Sequence, residues 1–180
     1  MEFPSIETLG QRIMICGPSN SGKSTLGQAL GRKLGMPAVH LDLLYHLPHS
    51  NWVPRPKDEF VALHDAAIAE TSWVMDGNYF ATIQQRLGRA TGIVLLGSEP
   101  VRSALRNVRR TLFESGRRAG QLEGNIDTLN WRLFHFILFE QPRKRQRDLE
   151  ILRAARLPMM ELDSMRELKA LYAVWGLSRR

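Results

Sequence analysis

The sequence predicts a three-layer α/β fold, with a five-stranded parallel sheet carrying helices on both faces. Three observations predict it. Five short apolar runs recur, at residues 12–16, 38–41, 73–75, 93–96 and 158–162. Helix-like stretches separate them, which is the alternation of parallel sheets. The runs are continuously apolar rather than alternating, as expected of strands covered on both faces.

The elements follow in order. Residues 1–11 read as a loose leader. The first strand, RIMIC, runs into a glycine-rich loop and then a helix from Lys23 to Leu34, stopped by Gly35 and Pro37. The second strand ends at Asp42. Residues 43–55 carry His, Pro, Asn and Trp and read as an irregular loop. Pro56 opens the next helix, with Phe60, Leu63, Ala67 and Ile68 as its apolar face. The third strand ends at Asp76-Gly77, and a helix of residues 79–87 follows. After the fourth strand and Pro100, a helix carries Val101, Ala104, Leu105, Val108 and Leu112 on one stripe. Residues 114–125, ESGRRAGQLEGN, have the composition of a mobile lid segment. Helices are expected over 126–140 and 142–156, then the fifth strand. Ser164 and Glu167 form a capping-box pattern at the start of the last helix. No repeat or low-complexity tract interrupts this order, so 1–180 reads as a single domain.

Composition narrows the function classes. The chain is 43% apolar and 24% charged, values of an ordinary folded domain. Its net charge is +7, from 20 Arg and 5 Lys against 18 acidic residues. Such a balance suits phosphate-bearing ligands or nucleic acid; an arginine bias also follows from genome composition. A single cysteine, Cys16, excludes an internal disulfide and a cysteine-rich zinc site, and its place in a strand makes it a core thiol. The first ten residues show no secretory signal. The apolar stretch 131–139 is too short for a bilayer and contains Arg132 and His135. The expectation is a soluble cytoplasmic protein with no membrane partner. The sequence leaves the oligomeric state open.

The loop GPSNSGKS at 17–24 matches G-x-x-x-x-G-K-[ST], the Walker A pattern, between an apolar strand and a helix. Gly17 and Gly22 permit backbone angles and close approach that a β-carbon would block. The amides of Ser19, Asn20, Ser21, Gly22, Lys23 and Ser24 can cradle phosphate oxygens at the positive end of the helix. Lys23 supplies a cation for the β- and γ-phosphates. Ser24 offers a hydroxyl to Mg²⁺, and Thr25 is placed for the α-phosphate.

A Mg²⁺ ion on such phosphates needs a carboxylate, directly or through water. Asp76, ending the third strand, is the candidate; it also reads as a turn residue or helix cap. Asp42, ending the second strand, faces the same cleft because ligands sit at the carboxyl ends of the strands. It reads as the group that orients or deprotonates an acceptor hydroxyl, or as a structural cap or ion-pair partner. Arg102, Arg106, Arg109, Arg110, Arg117 and Arg118 flank the glycine-rich segment. Arg106 and Arg109 share a face and are the expected phosphate contacts of a closing flap. The run RKRQR at 143–147 reads as a solvated helix face. The five histidines lack the spacing of a metal site. His46, Trp52 and Arg55 lie where an acceptor could bind.

These segments resemble the adenylate-kinase-like P-loop kinases and, more narrowly, the bacterial DNA topology modulation (FlaR-related) proteins. The resemblance is carried by RIMICGPSNSGKST, HLDLLYHLPHSNWVPRP, WVMDGNYF and the arginine-rich helix, spanning most of residues 12–172. It implies a P-loop NTPase fold with strand order 2-3-1-4-5 and a small helical lid. It also implies use of ATP and Mg²⁺, with Lys23, Ser24 and Asp76 in the roles above. Similarity to gluconate- and shikimate-type kinases after the second strand places Asp42 near the acceptor. The chain departs from adenylate kinases after Asp76-Gly77, where Asn78-Tyr79-Phe80 replaces Phe-Pro-Arg, so AMP specificity does not transfer. It has neither the four-cysteine zinc lid of some adenylate kinases nor the Asn-Lys-x-Asp guanine motif. The leading expectation is an ATP-dependent phosphotransferase of the nucleotide or small-molecule kinase type. The rivals are an ATP-binding regulator that acts on DNA topology through a basic surface, though no nucleic-acid motif is present, and an ATPase acting on a protein.

Overall fold

The computed structural model of the protein describes residues 3–50, 52–97 and 141–178, with the backbone alone over 141–145. Five strands form one sheet: β1 (Arg12–Cys16), β2 (Ala38–His40), β3 (Trp73–Asp76), β4 (Gly92–Leu96) and β5 (Met159–Leu162). Their order is β2-β3-β1-β4-β5, and every neighbouring pair is parallel. Six α-helices are described: α1 (Lys23–Leu34), α2 (Leu41–Tyr45), α3 (Lys57–Ala69), α4 (Ile83–Leu87), α5 (Gln141–Ala154) and α6 (Met165–Val174).

The two-residue period of a strand divides the core into two halves. On β1, Ile13 and Ile15 face one side, where Leu26 and Leu30 of α1 and Leu168 and Leu171 of α6 cover them. Met14 and Cys16 face the other, against Ile68 of α3, Ile83 of α4 and Leu152 of α5. Every residue of β3 and β4 is buried. This sandwiching is why the strands read as unbroken apolar runs. At the end of β5, Ser164 caps α6 by accepting from the Glu167 amide at 3.2 Å, while Glu167 accepts from the Asp163 amide at 2.6 Å. The first bond is that of the expected capping box; the second reaches the amide one residue before the cap, where a strict box would use that of Ser164.

Four local expectations are corrected. The leader is packed rather than loose: Ile6–Leu9 is a turn of 3-10 helix with Ile6 and Leu9 in the core, 8% and 1% exposed. Thr91 Oγ1 donates to the Leu9 carbonyl at 2.8 Å, and Trp175 Nε1 to the Pro4 carbonyl at 3.1 Å. Ile6 and Leu9, at i and i+3, share the face that packs into the core. The second strand stops at His40, and residues 41–45 form α2, so the segment after β2 is not irregular throughout. The helix expected over 79–87 is a 3-10 turn, Phe80–Thr82, followed by the short α4. On α3 the inward stripe is Phe60, His64 and Ile68, whereas Leu63 is 40% exposed. The i, i+4, i+8 row faces the sheet, and burial lowers the pKa of His64, which favours the neutral ring.

The arginine-bearing helix after Pro100, the lid segment 114–125 and the helix of 126–140 lie outside the described residues. No helix among the described residues is long and apolar enough to cross a membrane.

If the leader is part of the core, Leu9→Ala should lower the unfolding free energy by about 2–5 kcal/mol, as for other buried leucines. Urea denaturation followed by circular dichroism reads this. A loss under about 0.5 kcal/mol would return residues 1–11 to the status of a loose arm.

Candidate functional site

The carboxyl ends of β1, β2 and β3 place four short segments side by side. The first is the loop after β1. Gly17 has φ +148°, and a β-carbon there would sit 2.5 Å from the Leu96 carbonyl oxygen of β4. Gly22 has φ +93° and caps α1. Both positions therefore require glycine, one for lack of room and the other for its left-handed backbone. The Ser21 amide donates to the Pro18 carbonyl at 3.3 Å, which tightens the turn. Lys23 Nζ donates to the same carbonyl at 2.8 Å, so the ammonium lies back over the loop. Ser19, Asn20 and Thr25 complete this segment.

The second segment is the end of β3. Asp76 is 5% exposed, and the Ser24 hydroxyl donates to its Oδ2 at 2.6 Å. Its other oxygen, Oδ1, lies 2.6 Å from Nδ1 of His40 at the end of β2. Gly77 extends the parallel ladder by donating to the Ile15 carbonyl at 3.2 Å. Asn78 then acts as a side-chain peptide. Its Oδ1 accepts from the Gly17 amide at 3.0 Å, and its Nδ2 donates to the Gly17 carbonyl at 2.9 Å. The first glycine of the loop is thus paired on both sides, β4 packing against it and Asn78 bonding it.

The third segment carries Asp42, in the first turn of α2 and exposed to solvent. The Tyr79 hydroxyl donates to Asp42 Oδ1 at 2.6 Å. Burial, and after it the charge of Asp42, push the Tyr79 hydroxyl far above its ordinary pKa, so it remains a donor. Half-buried rings surround this pair. Tyr45 lies 4.8 Å from both Tyr79 and His46, and His46 lies 5.3 Å from Trp52. Residues 45–47 and 53–55 lie side by side, the Leu47 amide donating to the Val53 carbonyl at 2.9 Å and the Arg55 amide to the Tyr45 carbonyl at 2.7 Å.

The fourth is α4, whose Arg86 is buried beneath the others. Its Nη2 donates to the carbonyls of Asn78 at 2.6 Å and Tyr79 at 3.1 Å. Those two bonds hold Tyr79 at φ +22°, a conformation uncommon outside glycine. Burial lowers the Arg86 pKa to about 10. Nearby, burial raises the Cys16 thiol to about 11, against an opposing pull from the Arg86 charge. A thiol so placed is neither a nucleophile nor a metal ligand, in keeping with its reading as a core residue.

The structure therefore brings together Gly17, Gly22, Lys23, Ser24 and Asp76 as one group, with Asp42 beside it across the Tyr79 ring. Arg106 and Arg109, with Arg102, Arg110, Arg117 and Arg118, lie outside the described residues. Among the described residues no group of three or more His, Cys, Asp or Glu is placed to hold a metal. What sequence reasoning missed is the partnership of His40 with Asp76, the double bond of Asn78 to Gly17, the Tyr79–Asp42 pair and the strut formed by Arg86. His40 carried one usable signal, its place at a strand end two residues before Asp42. Arg86 carried none, since an arginine in a short amphipathic helix reads as surface.

Comparison with known protein families and with curated proteins finds no match. Solved structures do match in fold. A shikimate kinase from Bacteroides thetaiotaomicron aligns with a TM-score of 0.52 at 19% identity, covering 93% of this chain and 99% of that one. A gluconokinase from Sinorhizobium meliloti 1021 aligns with a TM-score of 0.43 at 18% identity, covering 80% and 98% respectively. The chain thus has the α/β fold of P-loop kinases.

The buried state of Cys16 has a direct readout. Thiol alkylation of the folded protein at pH 8 should be slower by at least about 10²-fold than in denaturant, since burial both blocks access and disfavours the thiolate. Comparable rates in the two states would show that the thiol, and the floor of the site with it, is open.

Proposed function

We propose that this chain, with the fold of a P-loop kinase, binds ATP and Mg²⁺ in the 17–24 loop and transfers the γ-phosphoryl group to a small-molecule or nucleotide acceptor beside Asp42. The observation that carries the reading is the 2.6 Å contact between the Ser24 hydroxyl and Asp76, set at the end of a complete phosphate loop. A hydroxyl and a carboxylate are both hard oxygen donors, the set that suits Mg²⁺. The residues present therefore fit the ion, with Ser24 and Asp76 as its protein partners. Bound Mg²⁺, held by Ser24 and Asp76, would supply positive charge that neutralises the negative charge developing on transfer.

The chain's own groups supply the rest. The amides of the loop and the start of α1 bind phosphate oxygens. Lys23 exchanges its bond to the Pro18 carbonyl for the β- and γ-phosphates. Asp42 accepts the proton of the acceptor hydroxyl. Tyr79 occupies one of its oxygens, and the other makes no hydrogen bond to a described residue. The carboxylate is thereby oriented and still able to take a proton. Tyr45, His46, Trp52 and Arg55 form the wall of the acceptor side, and Arg106 and Arg109 are proposed to close over the phosphates. We read the setting as cytoplasmic. The rival reading, an ATP-binding regulator that acts on DNA topology through a basic surface, rests on the net charge of +7 and the arginine runs. It would show as duplex binding that falls steeply with salt.

The test is ADP release from ATP against a panel of nucleosides, nucleotides and hydroxy acids. One acceptor class should stimulate release strongly; ATP binding with no stimulation by any of them counts against a kinase. Lys23→Ala should weaken ATP binding by roughly 10- to 100-fold, the loss of a charge-assisted contact, while the fold survives. Calorimetric affinity equal to wild type would remove the central assignment. Asp76→Asn should lower turnover by roughly 10²-fold, more than it lowers affinity for ATP in the presence of Mg²⁺. Full turnover at saturating Mg²⁺ would dismiss Asp76 from the site.

A further inference from the structure

We propose that His40 is a positioning residue for Asp76, and through it for the divalent cation; this rests on the reading of Ser24 and Asp76 given above. His40 and Asp76 are register partners on the adjacent parallel strands β2 and β3, so their side chains leave the sheet at the same height on the same face. That face is the one covered by α1, where Gly27 passes within 3.8 Å of Asp76 Cβ, counted from the place of its own missing β-carbon. His40 is 8% exposed and Asp76 5%, so little water reaches either group. Nδ1 lies 2.6 Å from Oδ1, while Ser24 takes Oδ2 at 2.6 Å.

A carboxylate bonded through both oxygens cannot turn about its Cβ–Cγ bond without losing a partner. Ser24 is not a fixed anchor, because its hydroxyl is the group proposed to move to the ion. When it moves, the bond to His40 is what keeps Oδ2 aimed at the loop. Without the imidazole donor, Oδ1 would be left buried and unpaired, a costly state that rotation of the carboxylate would relieve. The outer partners of metal-binding groups act in this way, and losing one weakens metal affinity by about 10- to 100-fold. His40 also precedes the fully buried Leu41 and then Asp42. The end of β2 therefore serves the cation with one residue and the acceptor with the next but one.

The experiment is calorimetric titration of ATP at a series of Mg²⁺ concentrations, which gives the Mg²⁺ midpoint for ATP binding. His40→Leu removes the donor and keeps an apolar volume; it should raise the midpoint about tenfold or more. His40→Asn places an amide nitrogen near the Nδ1 position and should stay within about threefold of wild type. ATP affinity without Mg²⁺ should be the same in all three. Equal midpoints for wild type and His40→Leu overturn the proposal, as does an Asn variant as impaired as the Leu one. A second measurement needs no substitution. In protein labelled with ¹⁵N-histidine, the His40 ring should carry its proton on Nδ1, and that resonance should move when Mg²⁺ is added to the ATP complex. A bare Nδ1, or a resonance indifferent to Mg²⁺, overturns the role even if His40→Leu does not fold. Wild-type protein that binds no ATP with Mg²⁺ sinks the parent reading and this one together. Wild-type binding with His40→Leu sharing the wild-type Mg²⁺ midpoint sinks this one alone.

Discussion

The arrangement of the site depends on one buried carboxylate. Asp76 ends β3 with both oxygens engaged, one by Ser24 of α1 and the other by His40 of β2. An anion in so dry a place is tolerable only when its lone pairs are met by well-placed donors. That requirement ties three elements to one point. It sets where α1 begins relative to the sheet, and therefore where the 17–24 loop opens.

The residues that follow Asp76 extend the same logic. Gly77 continues the ladder to β1, Asn78 bonds both the amide and the carbonyl of Gly17, and Tyr79 reaches the carboxylate of Asp42. Four consecutive residues thus reach four different parts of the cleft. Such a segment cannot be regular, because the side chains of Asp76, Asn78 and Tyr79 must each point a different way. Arg86 offsets the irregularity by binding the carbonyls of Asn78 and Tyr79 from below. Its burial has a cost, visible in its lowered pKa of about 10. The benefit is a fixed backbone at the junction between the proposed nucleotide and acceptor sides.

The two sides are therefore linked rather than merely adjacent. His40 and Asp42 lie two residues apart on one segment, Asp76 and Tyr79 three apart on another, and the pairs cross as His40–Asp76 and Asp42–Tyr79. A shift of β2 against β3 would disturb both carboxylates at once. The half-buried rings of Tyr45, His46 and Trp52 stand beside the second pair, where an acceptor would meet protein rather than water.

Much of this was legible from the chain alone. The five strands, the loop at 17–24, the capping box at Ser164 and the candidates Lys23, Ser24, Asp76 and Asp42 depend on local spacing and on apolar runs. Those follow from backbone geometry and from the burial of a strand on both faces. Other features were beyond it. That the described part of the leader packs, that His64 rather than Leu63 faces inward, and that residues 41–45 form a helix are decided by which surface lies opposite. The partnership of His40 with Asp76 needs β2 beside β3, and that of Asn78 with Gly17 needs β3 beside β1. Each is a contact between residues at least 36 positions apart. The sequence by itself determined which reactive groups stand together in a motif, because hydroxyls, carboxylates and glycines are visible there by spacing. Only the tertiary structure decided how each carboxylate is aimed, because its hydrogen-bond partners arrive from other strands.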